Sequence, residues 1–424
     1  MKLLLASWGN FESWDEVTYK FGRTEVRSKS PISALIEEIN PDKVVIILPD
    51  TLSKDFSSLK SLRETVKKKA AEFLDGLGIK NHEILIVPGV GKFRNGEFLG
   101  DPIDVYHYVV YLLQEVIPAV EDVEVHFDIT HGLNYITILT YKALRDILGV
   151  VALTNNVRLI TYNSEPYVKG VTKELEIHTI ENEVISPAPL NRRVSGNPPV
   201  DRFSISGEEL GKIKRSLENF ERIKRGLNKI NSWIFSLVYG LPLVLASFYP
   251  SLSEVKGAVE EAVEVYERNI FVDQENRRVV RRLRLSDNFG TLALLLLQLK
   301  VLDEPLRKKF SLPREELSVG ELMEIAETVF RGRILHSTKN ELNRIIERLK
   351  DNKPSDWTSL SKFLKNPSPQ VNPRNFLAHA GLEANLVEVK VEDDVMVRYT
   401  KEKVFYGGSK VRVETAIGRI LKVE

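Results

Sequence analysis

A chain of 424 residues is too long for one ordinary core, so two or three domains are expected. With 43% hydrophobic and 28% charged residues it reads as a soluble globular protein, and a net charge of +1 excludes a global basic field for nucleic acid. Cysteine is absent, which removes disulfides, thiolate metal sites and a cysteine nucleophile together. In chain order, residues 3–6 and 43–48 are short apolar runs, the second closing on Pro49-Asp50. Residues 83–87 stop at Pro88-Gly89, and 123–128 stop at Thr130-His131-Gly132. Continuous apolar strands bounded by turn residues are what a parallel sheet covered on both faces produces.

Between these strands, 59–77, 105–116 and 136–148 carry apolar residues at helical spacing. The alternation predicts a Rossmann-like, doubly wound α/β domain with a mostly parallel sheet. Residues 158–162 and 168–180 are expected to complete it as a strand and a polar hairpin. The segment 186–200, with Pro187, Pro189, Gly196, Pro198 and Pro199, reads as a linker. Helical patterns follow at 208–233, 255–270, 279–300, 319–330 and 339–349, interrupted at Asp303-Glu304-Pro305. Residues 387–399 and 404–413 alternate in strand fashion, a small C-terminal hairpin. The expected division is 1–190 for the α/β domain, 201–305 for a helical, helix-turn-helix-like middle, and 306–424 for a helical C-terminal domain.

The N-terminal apolar run lacks the length and flanks of a signal peptide. Residues 233–249 are the membrane suspect, but they are short and broken by Gly240 and Pro242, so a buried helix pair in a cytoplasmic protein is expected. Three methionines and four glutamines (Gln114, Gln274, Gln298, Gln370) beside plentiful Lys and Glu lean toward a thermophilic source.

The most informative segment is Asn372-Pro373-Arg374-Asn375-Phe376-Leu377-Ala378-His379-Ala380-Gly381. Pro373 can open a helix and Gly381 can close it. Asn375 and His379 are then one turn apart, with Arg374 beside them. A cation, an amide and an imidazole on one edge suit cleavage of a phosphodiester by its own 2′-hydroxyl. The imidazole moves protons, the guanidinium stabilises charge building on phosphorus, and the amide orients one of them. Arg-Asn-x3-His at a helix start in a C-terminal helical domain resembles the catalytic signature of HEPN ribonucleases. That resemblance implies Arg374, Asn375 and His379 as the catalytic set, in a composite site formed across a homodimer.

A second motif, Asp128-Ile129-Thr130-His131-Gly132-Leu133-Asn134, follows a strand and precedes a helix. Gly132 permits close backbone approach, Thr130 supplies a hydroxyl, and a helix N-terminus attracts phosphate. Ser7-Trp8-Gly9-Asn10 has the same strand-to-polar-loop character, and loops at the carboxyl ends of adjacent strands form the ligand crevice of an open sheet. Together the two loops are similar to the ligand loops of the CARF sensor domain. A CARF domain followed by a HEPN domain resembles the accessory ribonucleases of type III CRISPR systems. The resemblance implies a homodimer whose CARF pair binds a cyclic oligoadenylate, most often the tetramer, and switches on cutting of single-stranded RNA. Ser7, Trp8, Gly9, Asn10, Asp128, Thr130, His131, Gly132 and Asn134 are its expected contacts.

No Gly-x-Gly-x-x-Gly follows the first strand and no Walker lysine follows a Gly-rich loop, which argues against dinucleotide binding or ATP hydrolysis. The Gly89–Gly96 segment reads as a solvated loop, the alternative being a loop whose Lys92 or Arg94 meets phosphates. Read as a helix, Arg277, Arg281 and Arg284 share one edge with Arg278 and Arg282 beside it, either a stripe able to hold RNA or a solvated charged face paired with nearby Glu. The histidines lack metal-ligand spacing and no paired carboxylates stand out, so neither a metal nor another cofactor is expected. The competing expectation is a nucleic-acid-binding regulator with a sensor domain and no catalysis.

Overall fold

The structure is a computed structural model that describes residues 1–422. They form two compact units: residues 1–188, 198–217 and 259–297 make the first, and 189–197, 218–258 and 298–422 the second. The stretch 201–305 is thus shared between the two.

The first unit is built on ten strands in its N-terminal half: β1 Lys2–Ser7, β2 Val17–Phe21, β3 Thr24–Ser28, β4 Lys43–Pro49, β5 His82–Val87, β6 Gly91–Phe93, β7 Gly96–Leu99, β8 Val123–Asp128, β9 Val157–Ser164 and β10 Glu174–Val184. Four helices connect them: α1 Ile32–Ile39, α2 Leu59–Gly76, α3 Asp104–Leu113 and α4 Asn134–Val151. The main sheet has the order β3-β2-β10-β9-β8-β1-β4-β5. Its centre, from β9 to β5, is parallel. β10 runs antiparallel to β9, and the β2–β3 hairpin extends that edge. Leu3, Leu4, Leu5 and Ala6 are fully buried, as are Val45, Ile46, Ile47 and Leu48. Burial on both faces is why these strands are continuously apolar rather than alternating. The β2–β3 hairpin, by contrast, is half-buried with charges on its open side, and no apolar run announces it.

Two expectations fail in this unit. The Gly89–Gly96 region is not a solvated loop, because β6 and β7 form a hairpin that joins the strands Arg278–Arg281 and Ile270–Asp273 in a four-stranded sheet. The arginine-rich run is correspondingly strand, Arg278–Arg281 and Leu283–Leu285, and the helix predicted over 279–300 begins only at Asp287. Val279 and Val280 favour a pleated surface, and pairing with β7 settles a pattern that is ambiguous locally.

Arg281 is fully buried there and donates to Asp50 Oδ2 at 2.5 Å and to the Gly89 carbonyl at 2.8 Å. The other Asp50 oxygen accepts from Gly89 N–H at 2.9 Å, so the pair clamps the loops that follow β4 and β5. Removing one partner of such a pair strands the other charge in the interior, at a cost of about 3–5 kcal/mol. Asp50→Ala is therefore expected to lower the first unfolding midpoint of the full chain in urea, and an unchanged midpoint contradicts this account.

The second unit is mainly helical, with Leu227–Tyr239, Pro242–Ser247, Val319–Val329, Gly332–Leu349 and Val413–Ile420 as its principal helices. Ser318 and Glu321 form a reciprocal cap at the start of Val319–Val329. The stretches 387–399 and 404–413, expected to pair as one C-terminal hairpin, each form a hairpin of their own: Val387–Val391 pairs with Val395–Tyr399 inside a four-stranded sheet with Glu316–Ser318 and Thr358–Ser359. The strands Val404–Tyr406 and Ser409–Val411 pair separately around Gly407 and Gly408, both at positive φ. The proline-rich segment does not behave as a free linker. Val194 is buried, with its N–H and C=O each 2.9 Å from the Asn231 amide, and Leu190 N–H donates to Gln298. No helix of the described residues is long and apolar enough to cross a membrane.

Candidate active site and sensing edge

The Arg-Asn-x3-His motif forms the short helix Pro373–Ala378. Asn372 caps it, its side-chain oxygen accepting from Arg374 N–H at 2.9 Å and Asn375 N–H at 3.2 Å. Pro373 occupies the first turn, where a missing N–H costs nothing. Fully buried Phe376 anchors the helix. His379 ends it, and Ala380 and Gly381 then take positive φ, which lets Gly381 N–H return to the Phe376 carbonyl at 2.8 Å. Tyr399 closes the turn by donating to the Gly381 carbonyl at 3.1 Å. Burial pushes the Tyr399 phenol far above its usual range, so it stays a donor.

This turn fixes the imidazole. The His379 side chain is 37% exposed, and its Nδ1 lies 2.8 Å from Oε2 of Glu341, which is only 10% exposed. A carboxylate accepts, so the ring proton sits on Nδ1 and Nε2 is left as the free nitrogen. Arg344, one turn further along Gly332–Leu349, pairs with the other Glu341 oxygen. Arg374 and Asn375 are exposed, and the Arg374 side chain has no polar partner among the described residues.

Glu341 is the residue that sequence reasoning missed. It is thirty-eight positions from His379, and inside an amphipathic helix a lone Glu has no local signature. The only hint is its company: Glu341 falls on the buried side with Leu342 and Ile345.

In the first unit, the two predicted loops meet at the carboxyl ends of β1 and β8. Gly9 N–H donates to the His131 carbonyl at 2.8 Å. At Gly132 an added Cβ would stand 1.9 Å from Thr137 Oγ1 and 2.6 Å from Ser7 Oγ. Both glycines serve close approach of loop to loop, not a left-handed backbone. Thr130 Oγ1 donates to Asp128 at 2.6 Å and accepts from Ser164 N–H at 3.0 Å. Burial raises the Asp128 carboxyl to about 6 despite the Thr130 contacts. His131 stacks on Trp14 at 4.1 Å, and burial lowers it to about 4, so its ring is neutral near pH 7.

Several expected ligand contacts are consequently part of the scaffold. Trp8 is fully buried among Trp14 and Phe73, because its indole supplies core area beside the sheet. Ser7 is fully buried and bonds Thr137 at 2.9 Å, and Asp128 is buried beneath Thr130. Asn10 and Asn134 are exposed at the edge, where α4 begins.

The arginine stripe is not a helical edge. Arg281 is interior, Arg278 pairs with Glu97, Arg282 with Glu209, and Arg284 with Asp101 and Asp201. Arg277 sits in the preceding turn at positive φ. Alternation along the strands turns Arg281 inward and leaves Arg278, Arg282 and Arg284 outward, where acidic neighbours compensate their charge. One group of metal-ligand type was not anticipated: Glu165, Glu176 and His178, all exposed on β10 and the residue after β9, bring their ligand atoms within 4.8 Å.

Comparison with known proteins bears on both regions. The family profile described as "CRISPR system endoribonuclease Csx1, CARF domain" matches residues 3–166, and its HEPN-domain counterpart matches 334–402. The "CRISPR system endoribonuclease Csx1" of Methanocaldococcus jannaschii is 34% identical over 411 residues, covering 92% of this chain and 87% of that one. A solved structure of Enterococcus italicus Csm6, bound to cyclic hexa-2′-fluoro-hexa-dAMP, spans 83% of this chain and 85% of that one. At 9% identity and a TM-score of 0.25, that likeness carries no weight here.

Proposed function

Because the chain belongs to the Csx1 family of CRISPR system endoribonucleases, with a CARF and a HEPN domain, we propose that Arg374, Asn375 and His379 cut single-stranded RNA by internal attack, without a divalent ion or other cofactor. The 2′-hydroxyl attacks the neighbouring phosphorus and the bond to the 5′ oxygen breaks, giving a 2′,3′-cyclic phosphate and a 5′-hydroxyl. His379 Nε2 takes the 2′-hydroxyl proton, and the same residue in a second copy of the chain, there carrying a proton on Nε2, gives that proton to the leaving 5′ oxygen. Arg374 stabilises the charge that builds on the phosphoryl oxygens, and Asn375 orients the phosphate or the ring.

The observation that carries this reading is the Glu341–His379 hydrogen bond, which fixes tautomer and orientation beside an uncompensated guanidinium. An acid–base group held by a third residue is a recurring arrangement in catalysis of proton transfer. A regulator that only binds nucleic acid has no use for it. Since the reaction's nucleophile belongs to the RNA, no metal-bound hydroxide is required.

Activation is assigned to a cyclic oligoadenylate, the tetramer, held by a homodimer at the β1 and β8 loops. Supporting this are the placement of both loops at the carboxyl edge of a parallel sheet and the start of an eighteen-residue helix beside them. Exposed Asn10 and Asn134 are the side chains available to read the ligand, while neutral His131 is stacked on Trp14 with its Nε2 3.3 Å from the Tyr19 hydroxyl. Cutting of a labelled RNA is expected to persist in excess EDTA, to leave 2′,3′-cyclic phosphate ends, and to rise on addition of the cyclic tetra-adenylate. Strict dependence on added magnesium or manganese contradicts the mechanism.

A further inference from the structure

We infer that the edge of helix Gly332–Leu349 bearing Glu341 is the track that holds the phosphate backbone of the single-stranded RNA substrate, through Arg333, Arg344 and Arg348. This rests on the reading of His379 as the cutting residue. Arg333 and Arg344 are about three turns apart and Arg348 is one turn further, so the three guanidinium groups recur along one line of the helix. Ser337 and Asn340 lie between them on the same line. From Arg333 to Arg348 the line rises about 22 Å, the reach of a few nucleotides.

Three observations distinguish this row from an ordinary solvated face. First, it runs past the reacting group: Glu341, at the buried margin of the row, holds His379, so an RNA lying along the row presents one phosphodiester to Nε2. Second, its charge is available. Arg333 and Arg348 are exposed and have no polar partner among the described residues, and Arg344, tied to Glu341, is still 55% exposed. Arg278, Arg282 and Arg284, in contrast, each face a carboxylate. Third, Glu347 is the only acidic residue exposed on this helix, about a sixth of a turn from Arg344, and it stands against three exposed arginines on the row.

Contacts of this type fix register without reading bases, so the track predicts backbone affinity and leaves sequence preference to groups nearer the cut. Neutralising a phosphate on a single strand steepens the logarithmic salt dependence of binding by about 0.7.

The test uses the full chain carrying His379→Ala, so that RNA is bound but not consumed. Binding of a labelled unstructured RNA is measured over a range of salt concentrations, with and without Arg333→Gln and Arg348→Gln together. The double replacement is expected to raise Kd at least about 10-fold and to reduce the salt slope by about 1.4, while Arg278→Gln changes neither. In the cleaving protein the same pair raises KM and leaves kcat within about twofold. If Kd and slope are unchanged by the double replacement, the track is wrong and the assignment of His379 stands. If the wild-type chain neither binds nor cuts RNA, the endoribonuclease reading falls and takes the track with it.

Discussion

His379→Ala is expected to lower kcat for RNA cleavage by about 10³-fold, within the range that a positioned acid–base group contributes. The fold should survive, because the imidazole is partly exposed and Glu341 keeps its partner Arg344 when the ring is removed. Arg374→Ala should cost about 10²–10³-fold, as loss of one charge-stabilising donor does elsewhere. Glu341 separates positioning from chemistry. Its hydrogen bond to the ring is worth about 1.5–3 kcal/mol, roughly 10- to 150-fold in rate. Glu341→Ala should therefore depress kcat by that factor with KM little changed. Glu341→Gln, which can still accept from Nδ1–H, should recover most of it. A purely structural Glu341 would show no recovery with glutamine beyond that in thermal stability. A fully active His379→Ala chain would remove the motif from the mechanism altogether.

The second large effect is expected at Gly132. Alanine there introduces the one atom that would stand 1.9 Å from Thr137 Oγ1 and 2.6 Å from Ser7 Oγ, so either those hydroxyls must rotate away or the loop after β8 must move away from β1. Rotation of the two hydroxyls would break their mutual hydrogen bond, and the Ser7 carbonyl at 3.1 Å crowds the same atom, so part of the strain falls on the loop that carries Thr130 and His131. The expected signature is an increase of more than about 10-fold in the activator concentration for half-maximal cutting, with the activator-free rate preserved, because coupling requires tighter binding to the active arrangement. Combining Gly132→Ala with Thr137→Ala removes the closest contact and should restore part of the loss, which a general misfolding of the domain would not allow. An unchanged activation curve in Gly132→Ala would detach this edge from sensing. Thr130→Ala is expected to be more damaging than loss of one ligand contact, since its hydroxyl also joins Asp128 to Ser164 N–H.

What was legible in the sequence is what local chemistry dictates. The largely apolar runs at 3–6, 43–48, 83–87 and 123–128, bounded by turn residues and alternating with helical patterns, read as strands covered on both faces, and the parallel sheet follows from that alternation. Arg374, Asn375 and His379 stand within six positions, and the flanking Asn372, Pro373 and Gly381 carry their own helix signals, so the motif and its helix are read together. Tertiary structure decided everything that depends on distant partners. Glu341 meets His379 only because two elements thirty-eight residues apart pack together, and one glutamate in a helix looks like any other. The arginine-rich run has valines and leucines compatible with either period, and pairing with β7 makes it a strand and drives Arg281 inside to meet Asp50. Trp8 and Ser7 sit in a loop that composition marks as ligand-like, yet the same residues bury against Phe73 and Thr137. A loop sequence states which groups are present, while the packing of its neighbours determines which of them face the solvent.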